Sequence, residues 1–385
     1  MTPFTLIFFL VGIAALIVGA QFLVSGAARL AVAIGVSPMV IGLTVVAFGT
    51  GSPELAVGVH DSLTGETSLA LGNVVGSNIA NILLVIGVSA LIAPLSVRQR
   101  LVRWDVPLMI GVSVLMLLLS ANGRLGRLEG LVLFCGIIVY TLASFFLGRR
   151  DTASERAEAA REPEEETRQK PVKTFSQGVL QGIRIALVLG LLVLGSSWVV
   201  EGARELALFL GISQLIIGLT VVALGTSLPE LATSVVAILH GHRDMAVGNA
   251  IGSNIFNILA VLGISALLAP DGVRVPSGAL RFDIPVMIAV AIACLPVTFT
   301  GCRVNRWEGA VFLGYYVAYL FFLFLSATRH EQLPLYNLVM LSFVLPLTVL
   351  GVGLSLLAAL RRNRIENESN VEGQEQDPTT SECPP

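Results

Sequence analysis

Long apolar runs separated by short polar breaks fill most of the chain. Eleven reach bilayer length, at roughly 4–24, 38–60, 69–92, 105–121, 127–148, 178–200, 213–239, 245–269, 283–300, 307–327 and 335–360. About 20 apolar residues carry a helix through the hydrocarbon layer, so the pattern predicts an all-α polytopic membrane protein. One polar interruption is long. Residues 149–177 carry both signs of charge and read as a cytoplasmic linker or a short exposed helix. This linker separates five runs from five, and an odd number per half implies that the second half enters the membrane from the opposite side. The expected division is a first repeat over 1–148, the linker over 149–177 and a second, inverted repeat over 178–327. An extra transmembrane helix over 328–360 has no counterpart in the first half. Residues 361–385 are polar and acidic, as expected of a disordered cytoplasmic tail.

The two halves repeat in sequence as well as in hydropathy. Residues 42–87 and 218–263 align without a gap at an offset of 176, with 27 of 46 positions identical. The first copy begins GLTVVAFGTGSPELA and ends GNVVGSNIANILLVIG; the second begins GLTVVALGTSLPELA and ends GNAIGSNIFNILAVLG. Shorter echoes follow, RWDVPLM against RFDIPVM and RLEG against RWEG. In these, Asp105 and Asp283 are expected to be helix N-caps ahead of a proline. Glu129 and Glu308 are expected in first turns, where the helix dipole favours an anion.

Composition narrows the class. Of 385 residues, 55% are hydrophobic and 13% charged, about half the charged share of a soluble domain. No Lys or Arg precedes Arg29, so the first run reads as a retained helix and not a cleaved signal. Cys135, Cys294, Cys302 and Cys383 form no CxxC and imply neither a disulfide framework nor a zinc site. The net charge of −2 points to no nucleic-acid partner. With the N-terminus outside, the inner loops hold 18 of the 24 Lys and Arg. The positive-inside rule then favours an outer N-terminus and a cytoplasmic C-terminus.

Each long repeat sets one glutamate, Glu54 or Glu230, in an otherwise apolar, small-residue run. A carboxylate within the bilayer is costly and marks a functional site by default; two at matching positions of a repeat point to a shared cation site. Pro53 and Pro229 precede the glutamates. Each proline frees a carbonyl one turn back, which at membrane depth is tolerated where it lines a cavity or meets a ligand. Thr50 and Thr226 lie one turn before each glutamate, on the same side. Asn73, Ser77 and Asn81, like Asn249, Ser253 and Asn257, are spaced by four and line one helix face. Gly72, Gly76, Gly248 and Gly252 allow close helix contact. Asn78 and Asn254 fall off this stripe and are read as packing residues. All the donors are oxygens, which suits Ca2+ and disfavours metals that prefer thiolate or imidazole.

At these residues the chain resembles the cation/Ca2+ exchanger superfamily, most of all its prokaryotic Na+/Ca2+ antiporter branch, with paired repeats of form G-T-S-x-P-E and G-x-x-x-G-S-N. The resemblance covers about residues 5–327. It implies ten helices in an inverted repeat, with the second, third, seventh and eighth around the ions and the first and sixth sliding across them. It further implies that Glu54 and Glu230 are shared Ca2+ and Na+ ligands and that the Thr50 and Thr226 carbonyls complete the Ca2+ site. Ala47, Ala223, Ser77, Ser227, Ser253 and Asn81 would complete flanking Na+ sites. Two positions depart from the pattern. Gly51 stands where many members carry serine, and Asn257, in the remaining ligand position, stands where several carry aspartate. The implied activity is secondary antiport of Ca2+ against Na+ in a prokaryotic inner membrane, with no cofactor. An H+-coupled divalent-cation antiporter is the alternative, although the G-N-x-x-E motif of that branch is absent. An enzyme reading, intramembrane hydrolysis, lacks a mid-membrane histidine or aspartate.

Overall fold

In a computed structural model, residues 3–159, 175–209, 223–299 and 303–328 are described. Within them the chain is helical apart from turns and four two-residue strands. The first half runs through α1 (Pro3–Ile34), α2 (Pro38–Thr50), α3 (Ser52–Thr64), α4 (Thr67–Ile92), α5 (Leu101–Leu119) and α6 (Arg127–Ala159). The second runs through α7 (Phe175–Phe209), α8 (Leu228–Leu239), α9 (Arg243–Leu268), α10 (Ala279–Asp283 continuing as Ile284–Phe299) and α11 (Arg306–Ala327). Seven of these helices are long and apolar enough to cross a bilayer, or eight if the bent pair α2–α3 is one span. The protein is an integral membrane protein. The expected eleventh helix lies outside the described residues, as does the first part of the run at 213–239. Helix occupies both ends of the expected linker, since α6 continues to Ala159 and α7 starts at Phe175.

The halves exchange contacts in pairs. Strand β1 (Leu95–Ser96) pairs antiparallel with β4 (Arg303–Val304), while β2 (Arg124–Leu125) pairs with β3 (Val273–Arg274). By position in the repeat, β1 corresponds to β3 and β2 to β4, so each ribbon is the other with its halves swapped. Helix α5 connects β1 to β2 and places the ribbons at opposite ends of the bundle. Arg98 adds an ion pair to Asp244 at 3.1 Å, tying the β1 end to the start of α9.

Helices α4 and α9 form the centre, with 72% and 83% of their apolar stretches buried against 22% for α6, α7 and α11. Glycine permits this. A methyl group at Gly252 would lie 2.5 Å from the Leu43 carbonyl oxygen, and one at Gly248 would lie 2.8 Å from that of Met39. Helix α1 lies along α7 and meets it through glycine as well. A methyl on Gly12 would lie 2.8 Å from the Gly195 oxygen, and one on Gly195 would lie 2.9 Å from the Gly12 oxygen.

Two expectations about helix ends are corrected. Asp105 and Asp283 are not N-caps. The helices begin earlier, at Leu101 and Ala279, and a wide π turn carries each through to its aspartate, two residues before the proline. That turn absorbs the missing N–H of Pro107 or Pro285, so the proline does not start the helix. Asp105 is buried and accepts a hydrogen bond from Tyr140 Oη at 3.2 Å. The first-turn acids behave as expected. Glu129 accepts from Gly126 N at 3.0 Å and Glu308 from Asn305 N at 2.6 Å.

The α9–α2 contact makes a direct prediction. Gly252→Ala forces a methyl into backbone and should cost about 1–3 kcal/mol by overpacking, read as a lower thermal midpoint in detergent. Gly111→Ala, with no described atom within 4 Å of the new methyl, should leave the midpoint unchanged; equal effects would show that the glycine contact does not set the packing.

Candidate ion-binding site

The break between α2 and α3 follows from local sequence. Gly51 is non-helical at φ −78° and ψ 2°, Pro53 has no N–H to continue the ladder, and the axes part by 43°. In the second half Thr226 and Ser227 form the turn before α8, with Pro229 in its first turn. Glu54 and Glu230 therefore each fall in the first turn of a helix, where the dipole favours an anion. Both are fully buried. Glu54 faces Glu230 and the hydroxyls of Ser77 and Thr226; Glu230 faces those of Thr50 and Ser253. No hydrogen bond of ordinary geometry joins these hydroxyls to the carboxylates, and all four carboxylate oxygens lack such a partner.

Donors close by are engaged elsewhere. Asn249 Nδ2 donates to the Glu230 carbonyl (3.4 Å), Thr233 Oγ1 (3.2 Å) and Ser234 Oγ (3.1 Å), and its Oδ1 accepts from Thr50 Oγ1 at 3.3 Å. Asn73 repeats this, donating to the Glu54 carbonyl and accepting from Thr226 Oγ1, each at 3.4 Å. Each asparagine thus holds its own half's glutamate backbone and the other half's threonine. Ser77 Oγ lies 3.4 Å from Thr226 Oγ1. Ala47 is buried at the start of the last turn of α2, where its carbonyl accepts from Gly51 N at 3.0 Å. Ala223 opens the short turn Ala223–Gly225.

Asn78 and Asn254 meet each other. Asn78 Nδ2 donates to the Asn254 carbonyl at 3.3 Å and Asn254 Nδ2 returns a bond to the Asn78 carbonyl at 3.2 Å. Residues that are copies of one another touch here, which places a pseudo-twofold axis between them. Met109 and Met287, from the RWDVPLM and RFDIPVM echoes, offer their sulfurs to Asn254 and Asn78 at 3.5 and 3.6 Å. Since a carbonyl accepts only, both amides are fixed in orientation with Oδ1 facing the next asparagine. Asn81 and Asn257 must then donate to those oxygens, both at 3.1 Å, and their own Oδ1 atoms are left without a donor. Ser227 Oγ and Ser253 Oγ are likewise buried and unpartnered.

Six of the residues singled out by sequence thus present bare oxygens: Glu54, Glu230, Asn81, Asn257, Ser227 and Ser253. Buried polar atoms are normally satisfied, and so many unsatisfied oxygens together suit a dehydrated cation of the hard, oxygen-seeking kind. Sequence reading missed how the amides are aimed, because Asn78 and Asn254 lie off the stripe and their partners come from the other half. Their exact recurrence at the repeat offset was the available signal. Sequence reading also missed Phe256. Its ring fills the place beside Gly51, where a methyl would lie 2.8 Å from Cδ1, and it meets Phe48 edge-on at 5.1 Å. In the other half Ser227 and Ala80 stand at these positions, so a large ring faces the half that lacks a hydroxyl.

The family model described as sodium/calcium exchanger protein matches residues 4–146 and 182–325. The chain belongs to that family. Among similar proteins, the putative antiporter CaxA of Alkalimonas amylolytica is 40% identical over 66% of this chain and 78% of its own length. The sodium/calcium exchanger MaX1 of Methanosarcina acetivorans is 33% identical over 66% and 79%. A solved structure of the sodium-calcium exchanger NCX_Mj, soaked with zero Na+ and Ca2+, has a TM-score of 0.69 at 28% identity. The likeness covers 82% of this chain and 98% of that one.

Asn249 provides the test of this geometry. Asn249→Ala leaves Thr50 and Ser234 short of a partner, while Thr233 keeps the Pro229 carbonyl, at about 1–3 kcal/mol for each buried group left unsatisfied. The thermal midpoint should fall, and added Ca2+ should recover less of it than in the wild type. A normal midpoint with full Ca2+ stabilisation would contradict the clamp.

Proposed function

We propose that the chain is a secondary antiporter that exchanges Ca2+ for Na+ at a site built from Glu54 and Glu230. The observation that carries this reading is the pair of buried carboxylates with no donor. Two negative charges offset one Ca2+, and the same four oxygens, with the bare amide and hydroxyl oxygens beside them, can be divided among Na+ ions. The Thr50 and Thr226 carbonyls, at the two breaks, complete the Ca2+ shell. Ala47, Ser77 and Ser253, with Ala223, Ser227 and Asn81, flank it as Na+ ligands, and Asn257 presents a neutral oxygen. Because either cargo neutralises the same carboxylates, one empties the site for the other. A bare site is too costly to cross the dry interior, and that cost couples the two fluxes.

The swapped ribbons at opposite ends of α5 support an inverted repeat of five helices per half. In that arrangement α1 and α7, which touch through Gly12 and Gly195, slide across the central helices to open one end or the other. The run at 335–360 would be an eleventh helix outside this core. Basic-residue bias favours an outer N-terminus, and the 34% identity with inner membrane protein YrbG of Escherichia coli supports a prokaryotic inner membrane.

The decisive experiment is 45Ca2+ uptake into proteoliposomes driven in turn by outward Na+, H+ and K+ gradients. Na+ alone should drive uptake, with no K+ requirement since Asn257 adds no charge. Uptake driven by H+ and not by Na+ would establish the proton-coupled alternative. Glu54→Gln and Glu230→Gln should each reduce transport at least a hundredfold while the protein still inserts; near wild-type exchange in either would refute the shared site.

A further inference from the structure

Asp61 lies on α3 seven residues beyond Glu54, two turns along and about 10 Å away on the same face. It is 8% exposed, and among the described residues its carboxylate has no hydrogen bond and no ion pair. The charged groups that face it are His60 and Glu66. Between Glu54 and Asp61 the intervening residue on this face is Gly58, and Val261 Cγ1 of α9 would lie 3.0 Å from a methyl there. The space beside it is taken by Ser265 Oγ of α9, which would lie 2.8 Å from a methyl on that glycine. Ser265 is fully buried, and its hydroxyl has no partner. Bare oxygens therefore continue from the central site past Gly58 to Asp61.

The carboxylate exists at one end only, although Ser89, the counterpart of Ser265, is equally buried and without a partner at the other. The counterparts of Gly58, Asp61 and Ser62 in α8 are Ser234, Ala237 and Ile238, all buried. Ser234 is held by Asn249, and Ala237 and Ile238 carry no charge. The Asp61 end is that of the β2–β3 ribbon, since Thr67, just beyond α3, accepts from Arg274 N at 3.1 Å.

We infer that Asp61, with Ser265, forms an entry site for the transported cation at the β2–β3 end, and that no equivalent exists at the other end. It rests on the antiport reading above. An unpaired carboxylate at the edge of the buried core, two turns from the central pair, attracts a cation and hands it on past Ser265. It raises capture from one side without holding the ion through the transport step.

The test measures Na+-driven 45Ca2+ uptake in right-side-out and in everted membrane vesicles, so that Ca2+ meets one face at a time. Asp61→Asn should raise half-saturating Ca2+ threefold or more at the face bearing the β2–β3 ribbon, the outer one in the proposed orientation. The opposite face should change less than 1.5-fold, and the rate at saturating Ca2+ should hold. Asp61→Glu should stay near wild type, and Ser265→Ala should raise half-saturation at the same face alone. An Asp61→Asn change equal at both faces, or absent at both, would overturn the inference. So would an inserted Asp61→Asn protein without transport at saturating Ca2+, because Asp61 would then belong to the central site. If Asp61→Asn does not insert, Ser265→Ala decides, and the lack of a one-sided rise overturns the inference. A wild-type protein without Na+-driven uptake overturns the antiport reading and this inference with it. An active wild type, an inactive Glu54→Gln and an unshifted Asp61→Asn overturn this inference alone.

Discussion

Glu54 and Glu230 sit where water does not reach, facing one another with no hydrogen-bond donor. Burying a bare carboxylate in low dielectric costs several kcal/mol, and two side by side cost more. The surrounding residues leave this cost uncompensated, and under the proposed function a cation offsets it. Every amide that could have donated to the glutamates is committed elsewhere. Asn73 and Asn249 hold backbone and threonine, while Asn78 and Asn254 hold each other. The hydroxyls of Thr50 and Thr226 are turned toward those asparagines. Without these commitments the carboxylates would be satisfied internally and would have less need of an ion.

The repeat is close to symmetric at the centre and departs from symmetry around it. Asn78 and Asn254 interact as equals, yet Gly51 meets the ring of Phe256 where Ser227 has only Ala80 as the corresponding residue. Asp61 has an alanine as its counterpart. A two-sided carrier needs a common centre, because both faces must present the same ligands, but it gains from unequal approaches. The departures fall where that reasoning allows them.

Much of this was legible in the sequence for a physical reason. The duplication makes each candidate site residue appear twice, and the bilayer makes each buried charge conspicuous. Glu54, Glu230, Asn81, Asn257, Ser227 and Ser253 were found in that way. The break at Gly51–Pro53 followed from backbone chemistry alone. What was not legible depended on the other half. The off-stripe position of Asn78 gave no hint that its carbonyl receives a bond from Asn254. Asp105 read as a cap because proline commonly starts helices, whereas a π turn here lets the helix run through it. Phe256 read as one more apolar residue, since its role is set by the missing Cβ of a glycine some 200 positions away.

The swapped ribbons and the Asn78–Asn254 exchange have a consequence for how such a chain could arise. The ribbon pairs and the Asn78–Asn254 exchange each occur in two copies related by the same rotation, so this part of the buried face of one half is complementary to itself. That is the property of an isologous dimer interface. A single half would already carry, on one surface, both what it offers and what it requires. Fusing two such halves fixes their stoichiometry and leaves each free to drift, and Phe256 and Asp61 are changes that an obligate pair of identical chains could not have acquired on one side alone.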